Sequence, residues 1–313
     1  MHDYLGIDTS NYTTSAAVFL SDRSVDSKRM LLPVKEGEKG LRQSDALFHH
    51  VRQLPELVRG LLAERDILAI GVSTRPRDID GSYMPCFLAG ETVADCIASA
   101  CKIPVYKTSH QVGHILAALY SCKRLDLVFQ KKPFIAFHVS GGTTDCLLVT
   151  PDDEKVIVCN EISSSSDLKA GQAVDRVGVA LGLRFPCGAE LEKLALKSKA
   201  DFRIKPSIRD GRPSFSGLEN VCKKMIESGA ENCDIALYCI KYIEAAIVGM
   251  AEHALSTAGE LPMVFAGGVM SDGIIKNAVS KRFEAYFAEP ALSADNACGT
   301  AVFAAIKDGS LSE

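Results

Sequence analysis

The chain has 313 residues, of which 47% are hydrophobic and 24% are charged, and its formal net charge is −4. This composition is ordinary for a folded globular protein and excludes a disordered or low-complexity chain. The length predicts two domains or one two-lobed unit. The acidic balance argues against unaided binding of nucleic acid, because such binding needs a basic face that neutralises phosphates.

The cysteine pattern and the ends of the chain bear on location. Eleven cysteines are scattered without any C-x-x-C pair, mostly in apolar contexts. Reduced thiols in a reducing compartment explain this pattern better than disulfides or a zinc ribbon. No apolar run near either end is long enough to span a membrane, and the N-terminus lacks the pattern of a secretory signal. We therefore expect a cytoplasmic protein without a membrane partner.

The first third of the chain predicts a hairpin followed by alternating strands and helices. Apolar runs at 4–9 and 14–20 flank a short polar turn, which is typical of a hairpin. Helical spacing of apolar residues follows from Ser44, which is expected to cap that helix. The remaining predicted elements are a strand at 28–35, a strand at 67–74, a helix at 90–102 and a helix within 107–120.

A second hairpin opens the rest of the chain at 134–150, and its resemblance to the first indicates a weak internal repeat. The elements that follow are a strand at 155–162, helices at 169–182, 187–199, 215–229 and 233–258, a strand within 262–270 and a helix at 294–309. The pattern predicts an α/β fold with two lobes at 1–130 and 131–313, with the last helix a candidate to pack back on the first lobe.

Two glycine turns are candidate phosphate sites. Ser140-Gly141-Gly142-Thr143-Thr144 combines hydroxyls with glycines that allow backbone N–H groups to point at an anion. A hairpin turn that needs positive φ explains the same string equally well. Ala266-Gly267-Gly268 ends a strand and opens a helix, which suits a nucleotide but is a weak signal by itself.

A histidine pair is the candidate metal site. His110 and His114 are one helical turn apart, so both imidazoles lie on one face, as metal binding requires. The glutamate of the zinc-peptidase motif H-E-x-x-H is absent, which argues against proteolysis. Two polar residues that share a face by coincidence remain the alternative. Asp8, at the first hairpin turn, could orient a cation or a water, although turn acids are usually structural.

Further metal ligands are needed, and two residues are candidates. His138 lies inside an apolar strand, where an imidazole without a partner would be costly to bury. Asp295 opens the last predicted helix, where an N-cap is the ordinary role of an aspartate. The sequence by itself does not bring these residues together with the histidine pair.

Eight collinear motifs resemble one known family. They are LGIDTSNYTTSAAV, SHQVGH, VSGGTTD, AGQAVDRVGVALGL, FPCG, PSFSGL, AGGVMSD and SADNACGTAV. In order and spacing they are similar to the tRNA threonylcarbamoyladenosine synthase family, TsaD and its relatives, once described as glycoprotein endopeptidases. The resemblance implies the actin/Hsp70/sugar-kinase fold, with two ribonuclease-H-like lobes around a nucleotide cleft.

The resemblance also implies a set of functional residues. An iron or zinc ion would be held by His110, His114 and Asp295, with His138 at a position where some relatives place a ligating tyrosine. Catalytic contributions are expected from Asp8 and Ser140. Adenine-nucleotide contacts are expected at Val139, Ser140, Gly141, Gly142, Asp175, Gly188, Gly267, Gly268 and Asp272.

The implied reaction transfers threonylcarbamoyl from its adenylate to the adenosine beside the tRNA anticodon. The metal would act as a Lewis acid and template. Related proteins work with a pseudo-enzyme subunit and an ATPase, which are candidate partners here.

Departures from the family pattern leave alternatives open. Asn11-Tyr12-Thr13-Thr14 lacks the two acids usual there, Thr143 replaces a histidine, Cys187 a glycine and Asp272 an asparagine. A polar loop, residues 75–85, replaces a glycine-rich one. These changes suggest a paralogue whose acceptor or donor differs, for instance one that carbamoylates a small molecule. A nucleotide-binding scaffold without catalysis is a second alternative, against which the retained metal-ligand motif argues.

Overall fold

The structure is a computed structural model that describes residues 2–10, 12–33, 41–63, 65–293 and 296–312. The strands are β1 Asp3–Ser10, β2 Thr13–Phe19, β3 Val25–Leu31, β4 Ile67–Arg75, β5 Val105–Ser109, β6 Phe134–Val139, β7 Thr144–Asp152, β8 Val156–Ser164, β9 Ile208–Arg209, β10 Arg212–Pro213, β11 Met263–Ala266 and β12 Ala285–Phe287. The helices are α1 Gln43–Leu62, α2 Phe87–Cys101, α3 His110–Ser121, α4 Asp126–Phe129, α5 Ala170–Ala180, α6 Gly188–Ala195, α7 Ser216–Glu227, α8 Asn232–Ala258, α9 Gly273–Ser280, α10 Pro290–Ser293 and α11 Asn296–Lys307, with a short 3-10 helix at Gly268–Ser271.

Both predicted hairpins are present, and each begins a five-stranded sheet. The first sheet has the order β3-β2-β1-β4-β5, and the second has the order β12-β11-β6-β7-β8. In each, the hairpin strands are antiparallel and the later strands join in parallel. If the first sheet is read from β3 and the second from β8, the strands follow the same order in both. The internal repeat seen in the sequence is therefore a duplicated sheet topology, and the α/β fold class is confirmed.

The chain divides into two compact units. The first comprises Met1–Lys132, Thr150–Cys159 and Ala291–Glu313, and the second comprises Pro133–Val149 and Asn160–Pro290. The core of the first unit is formed by β1, β2 and β4 with α1 and α2. The core of the second is formed by β6 and β11 with α5 to α9, and α8 supplies the largest share of its buried side chains.

The last helix, α11, belongs to the first unit and packs on its sheet at very short range. A Cβ atom on Gly6 of β1 would lie 2.0 Å from the carbonyl oxygen of Ala297, and one on Gly71 of β4 would lie 1.8 Å from that of Thr300. A Cβ on Gly299 would lie 1.7 Å from the carbonyl oxygen of Gly113 on α3. These glycines are needed because a side chain would force the backbones apart.

Two local predictions were wrong. The helix predicted from Ser44 begins one residue earlier, and no side-chain hydrogen bond caps it at Arg42. The helix predicted within 107–120 begins at His110, because Lys107–Ser109 form the end of β5. Ser109 caps this helix by accepting a hydrogen bond from the backbone N–H of Val112. Among the described residues, no helix has both the length and the apolar character needed to cross a bilayer.

Candidate functional site

A cavity of about 340 Å³ lies in the second unit, a size suited to a small organic ligand. Six of the residues predicted to contact a nucleotide line it: Ser140, Gly141, Asp175, Gly188, Gly268 and Asp272. Apolar side chains complete its walls, among them Val174, Ile240 and Ile275. The cavity thus combines apolar surface with a glycine turn and carboxylates, as ligand pockets generally do.

The Ser140-Gly141-Gly142 turn lies against the N-terminus of α5. The backbone N–H of Gly171 donates to the carbonyl oxygen of Ser140 at 3.1 Å. A Cβ on Gly171 would lie 2.6 Å from the backbone nitrogen of Gly141, so only glycine allows this approach. The turn and the positive end of a helix dipole therefore share one side of the cavity, where an anion is favoured.

The hydroxyl of Ser140 organises the turn itself. Its Oγ accepts hydrogen bonds from the backbone N–H groups of Gly142 and Thr143, both at 3.2 Å. These two amides already have an acceptor within the protein, so an anion that used them would have to replace Ser140 Oγ. At the N-terminus of α5 the N–H groups of Ala170 and Gly171 also have acceptors, Thr144 Oγ1 and the Ser140 carbonyl oxygen, so the helix contributes mainly its dipole at this turn.

Three carboxylates also line the cavity, and they accept hydrogen bonds where the glycine turn offers donors. Asp175 accepts a hydrogen bond from the backbone N–H of Cys187 at 2.8 Å, and Glu192 accepts one from that of Gly273 at 2.8 Å. Asp272 caps α9 by accepting from Ile274 and Ile275. Carboxylates of this kind can accept hydrogen bonds from the hydroxyl groups of a ligand such as a ribose.

The surroundings of Asp272 disfavour the charged form of its carboxyl. The pKa of its carboxyl is raised from 3.8 to about 6, mainly by burial and also by the charges of Glu192 and Glu244, although the backbone hydrogen bonds of the helix cap lower it. A family position usually occupied by an asparagine thus holds an acid that titrates near neutrality.

The other predicted nucleotide residues lie next to the cavity rather than in its lining. Gly142 is exposed on the turn, and Val139 is fully buried at the end of β6. Gly267 has φ of 100°, and a Cβ there would lie 2.2 Å from the carbonyl oxygen of Val139. Gly267 therefore serves the packing of β11 against β6, and its predicted contact with a nucleotide remains a prediction.

In the first unit, the structure brings Asp8 and the histidine pair together. His110 Nδ1 lies 2.9 Å from Asp8 Oδ2, and the rings of His110 and His114 have centroids 4.6 Å apart. Ser73 donates its hydroxyl to Asp8 Oδ2 at 2.6 Å, and the backbone N–H of Ser10 donates to Asp8 Oδ1. Asp8 is fully buried.

The Asp8 carboxyl is held in its charged form. Burial by itself would raise its pKa, but the charge and hydrogen bond of His110, with the hydrogen bonds from Ser73 and Ser10, lower it below its ordinary value. With Nδ1 directed at a carboxylate, Nε2 is the ring nitrogen of His110 that a metal would use.

The donor chemistry of this pair suits a transition metal, because histidines that bind metals usually donate their second N–H to a carboxylate. The described residues supply two such ligands, and no group of three histidine, cysteine, aspartate or glutamate side chains able to hold a metal occurs among them. Asp295, the third expected ligand, lies outside the described residues. His138 is half-buried on β6 in the second unit, in register with Asp145 and Ala266.

The polar loop 75–85 borders the N-terminus of α3. The backbone N–H of Gln111 donates to the carbonyl oxygen of Pro76 at 3.0 Å. Arg75 is engaged within the loop, because its Nε donates to Asp78 Oδ1 at 2.8 Å. The guanidinium of Arg75 is thus already paired with a carboxylate of the same chain.

Sequence reasoning missed two residues at these sites. Glu192 lines the cavity from α6, one helical turn after Gly188, and this spacing is the signal that could have found it. Ser73 is a buried hydroxyl that directly follows the apolar run of β4. A polar residue within a buried strand usually has a partner, but the sequence could not identify Asp8 as that partner.

Comparison with known proteins agrees with this architecture. (R)-2-hydroxyglutaryl-CoA dehydratase component A of Acidaminococcus fermentans has a TM-score of 0.58 at 15% identity, covering 99% of this chain and 100% of that one. HypF of T. kodakarensis has a TM-score of 0.58 at 13% identity, covering 96% and 47%. The Clostridium difficile activator of 2-hydroxyisocaproyl-CoA dehydratase, with bound ADPNP, has a TM-score of 0.55 at 14% identity, covering 99% and 98%. At these identities the likeness shows the actin-like ATPase fold alone.

The sequence itself matches a specific family. The model of TsaD, tRNA N6-adenosine threonylcarbamoyltransferase, matches residues 35–302, which is most of the chain. This match includes α3 with its histidine pair and every residue that lines the cavity of the second unit. The chain therefore belongs to the TsaD family of tRNA N6-adenosine threonylcarbamoyltransferases.

Proposed function

We propose that this protein is a metal-dependent acyltransferase that moves threonylcarbamoyl from its adenylate to the adenosine beside a tRNA anticodon. The observation that carries the proposal is the cavity of the second unit, which combines a glycine turn, a helix N-terminus and three carboxylates in a chain of the TsaD family. The proposal includes a cytoplasmic location, tRNA as acceptor and the two kinds of partner subunit expected from the sequence.

The second unit would bind the adenylate. The N-terminus of α5 and the turn at Ser140 favour the phosphate, and the carboxylates of Asp175, Glu192 and Asp272 suit the ribose hydroxyls. The apolar walls at Val174 and Ile240 suit the base. With the phosphate held by backbone dipoles, the charge that develops as AMP leaves is stabilised without any reorganisation of water.

The first unit would hold one divalent metal, iron or zinc, through His110 and His114, with Asp295 as the third protein ligand. Bound there, such an ion supplies Lewis-acid chemistry, polarising a donor oxygen. Asp8 orients the imidazole of His110 through its Nδ1. The helix α11, which directly follows Asp295 in sequence, contacts α3 at Gly113, between the two histidines. This contact supports the shared role of the two segments.

The proposal is tested by the product. The protein is incubated with unmodified tRNA and threonylcarbamoyl-adenylate made from labelled threonine, with and without cell extract as a source of partners. Nuclease digestion and mass spectrometry then look for N6-threonylcarbamoyladenosine. We expect the product with the wild type and with His253→Ala, a histidine on α8 in the second unit, and a loss of at least a hundredfold with His114→Ala.

Mass spectrometry of the adenylate that copurifies with the protein identifies the donor independently. Label that appears in a small molecule while tRNA stays unmodified would replace the acceptor in the proposal. No transfer to any acceptor, with bound adenylate still present, would indicate a scaffold instead.

A further inference from the structure

The charge of this acidic chain is unevenly distributed in the second unit. Between residues 197 and 212 the sequence has six basic residues and two acidic ones. All six cations are exposed. We refer to them as the basic ledge: Lys197, Lys199, Arg203, Lys205, Arg209 and Arg212.

Part of the ledge lies on a segment whose exposure alternates, as it does along an extended chain. From Asp201 to Ser207 every second residue is exposed, and the residues between them are half-buried. Exposed side chains two residues apart on extended chain are roughly 6.6 Å apart and on the same side. Arg203 and Lys205 therefore point outward in a row.

The residues between the cations fix this row to the protein. Phe202 packs edge-to-face on Tyr238, with ring centroids 5.3 Å apart, and Ile204 packs against the core of the second unit. The backbone N–H of Ser207 donates to the hydroxyl of Tyr242 at 3.0 Å. An anchored segment presents its charges at a lower entropy cost than a mobile loop does.

Five of the six cations have no acidic partner in the described part of the chain. In the described part of the chain, Lys197, Lys199, Arg203, Lys205 and Arg209 make no ion pair, and Arg212 lies 3.7 Å from Glu161, at the limit of one. Arg209 and Arg212 face each other directly across the β9–β10 ladder. Like charges in this cross-strand position repel, and a bound polyanion would relieve the repulsion.

The ledge is also close to the cavity. Glu192 lines the cavity from α6, and this helix ends at Ala195, two residues before Lys197. Helix α6 has eight residues and is therefore about 12 Å long, so its first residue lies within about this distance of the start of the ledge.

From these observations we infer that the basic ledge binds the phosphodiester backbone of the tRNA acceptor, an inference that rests on the proposed function. A row of unpaired cations neutralises successive phosphates without reading sequence, and it gives an acidic protein the local basic surface that RNA binding needs. The ledge is a binding surface and takes no part in the chemistry.

The test measures the affinity for fluorescently labelled, unmodified tRNA at several salt concentrations. The ledge variant is Arg203→Gln with Lys205→Gln and Arg209→Gln, three exposed positions at which the fold should tolerate glutamine. The charge-matched control is Lys224→Gln with Lys281→Gln and Arg282→Gln, also exposed and in the same unit. Circular dichroism and adenylate binding confirm that both variants are folded.

We expect the ledge variant to bind tRNA 10- to 100-fold more weakly at 0.1 M salt, with the slope of log K against log salt reduced by about 2 to 3. The control should change affinity less than threefold. Asp201→Asn with Asp210→Asn, which removes the two acids of the same segment, should tighten binding.

Three outcomes would overturn the inference: equal weakening by the ledge and control variants, unchanged affinity of the ledge variant, or no binding of tRNA by the wild type at 50 mM salt. Retained tRNA binding by the ledge variant with lost binding of an acidic protein would assign the ledge to a protein partner instead. The proposed function fails separately, if the wild type binds tRNA through the ledge but does not modify it.

Discussion

Asp272 offers the sharpest test of the electrostatics of the cavity. Its carboxyl caps α9 and faces Glu192 and Glu244, and burial is the main cause of its pKa of about 6. Because this folded-state pKa lies above the unfolded value near 3.9, folding costs more free energy once the carboxyl is ionised. Relative to the ionised state, the protonated carboxyl makes the fold more stable. This contribution to the free energy of unfolding is fully present below about pH 4 and is lost as the pH rises through 6.

The substitution Asp272→Asn removes the charge and keeps the helix cap, because asparagine caps as well as aspartate does. A shift of about 2 pKa units corresponds to about 3 kcal/mol as an upper limit. The partial exposure of Asp272 allows solvent screening, which reduces the expected gain at pH 7.5 to about 1–2 kcal/mol. At pH 4 the two proteins should differ by less than about 0.5 kcal/mol.

The measurement is urea unfolding of the ligand-free protein, followed by circular dichroism at pH values from 4 to 8. Asp272→Ala is the matched control, since it removes the charge and also the cap, which costs about 1 kcal/mol at every pH. A stability difference between wild type and Asp272→Asn that does not grow from pH 4 to 7 would refute the reasoning. So would a variant less stable than the wild type at pH 7.5.

Three further predictions concern other parts of the molecule. Gly299→Ala should destabilise the protein by at least about 3 kcal/mol in urea unfolding, or prevent its folding, because the new methyl would collide with backbone. The control Gly217→Ala has open space around it and should leave the stability unchanged or raise it slightly. Asp8→Asn should weaken metal binding 10- to 100-fold in a chelator competition, because His110 loses its anionic partner. The circular dichroism of the protein should stay unchanged. An unchanged metal affinity would contradict the role given to Asp8. The pKa of Asp167 is about 2, because burial, which raises it, is outweighed by hydrogen bonds from the segment that begins α7. The stability advantage of the wild type over Asp167→Asn should therefore be present above about pH 4 and disappear towards pH 2. A stability advantage that persists at pH 2 would exclude this cause.

Local patterns in the sequence were enough to predict the α/β fold class, whereas the actin-like fold was predicted from the resemblance to a family. The two hairpins, the helical faces and the repeat follow from apolar periodicity and turn residues, which depend on neighbours a few positions away. The start of α3 was not predicted, because the polar residues Lys107–Ser109 are compatible with the end of a strand as well as with the first turn of a helix. The capping serine at position 109 decided the boundary instead.

The candidate site was only partly predictable, since its contacts join distant segments. Motif resemblance indicated six residues that line the cavity, although their roles remain predictions. The contact between Asp8 and His110 spans 102 positions, and no local pattern encodes it. The start of α6 was predicted to within one residue, yet Glu192 was missed because the sequence does not show which face of this helix lines a cavity.

The position of α11 has a consequence for biosynthesis. This helix covers the sheet that the first strands form, yet it is synthesised after the whole of the second unit. As the nascent chain leaves the ribosome, β1 and β4 therefore emerge with glycine-lined surface that nothing yet covers. We expect the first unit to complete its fold only once α11 has been synthesised, so that removal of this helix would expose the first unit to chaperones and proteases.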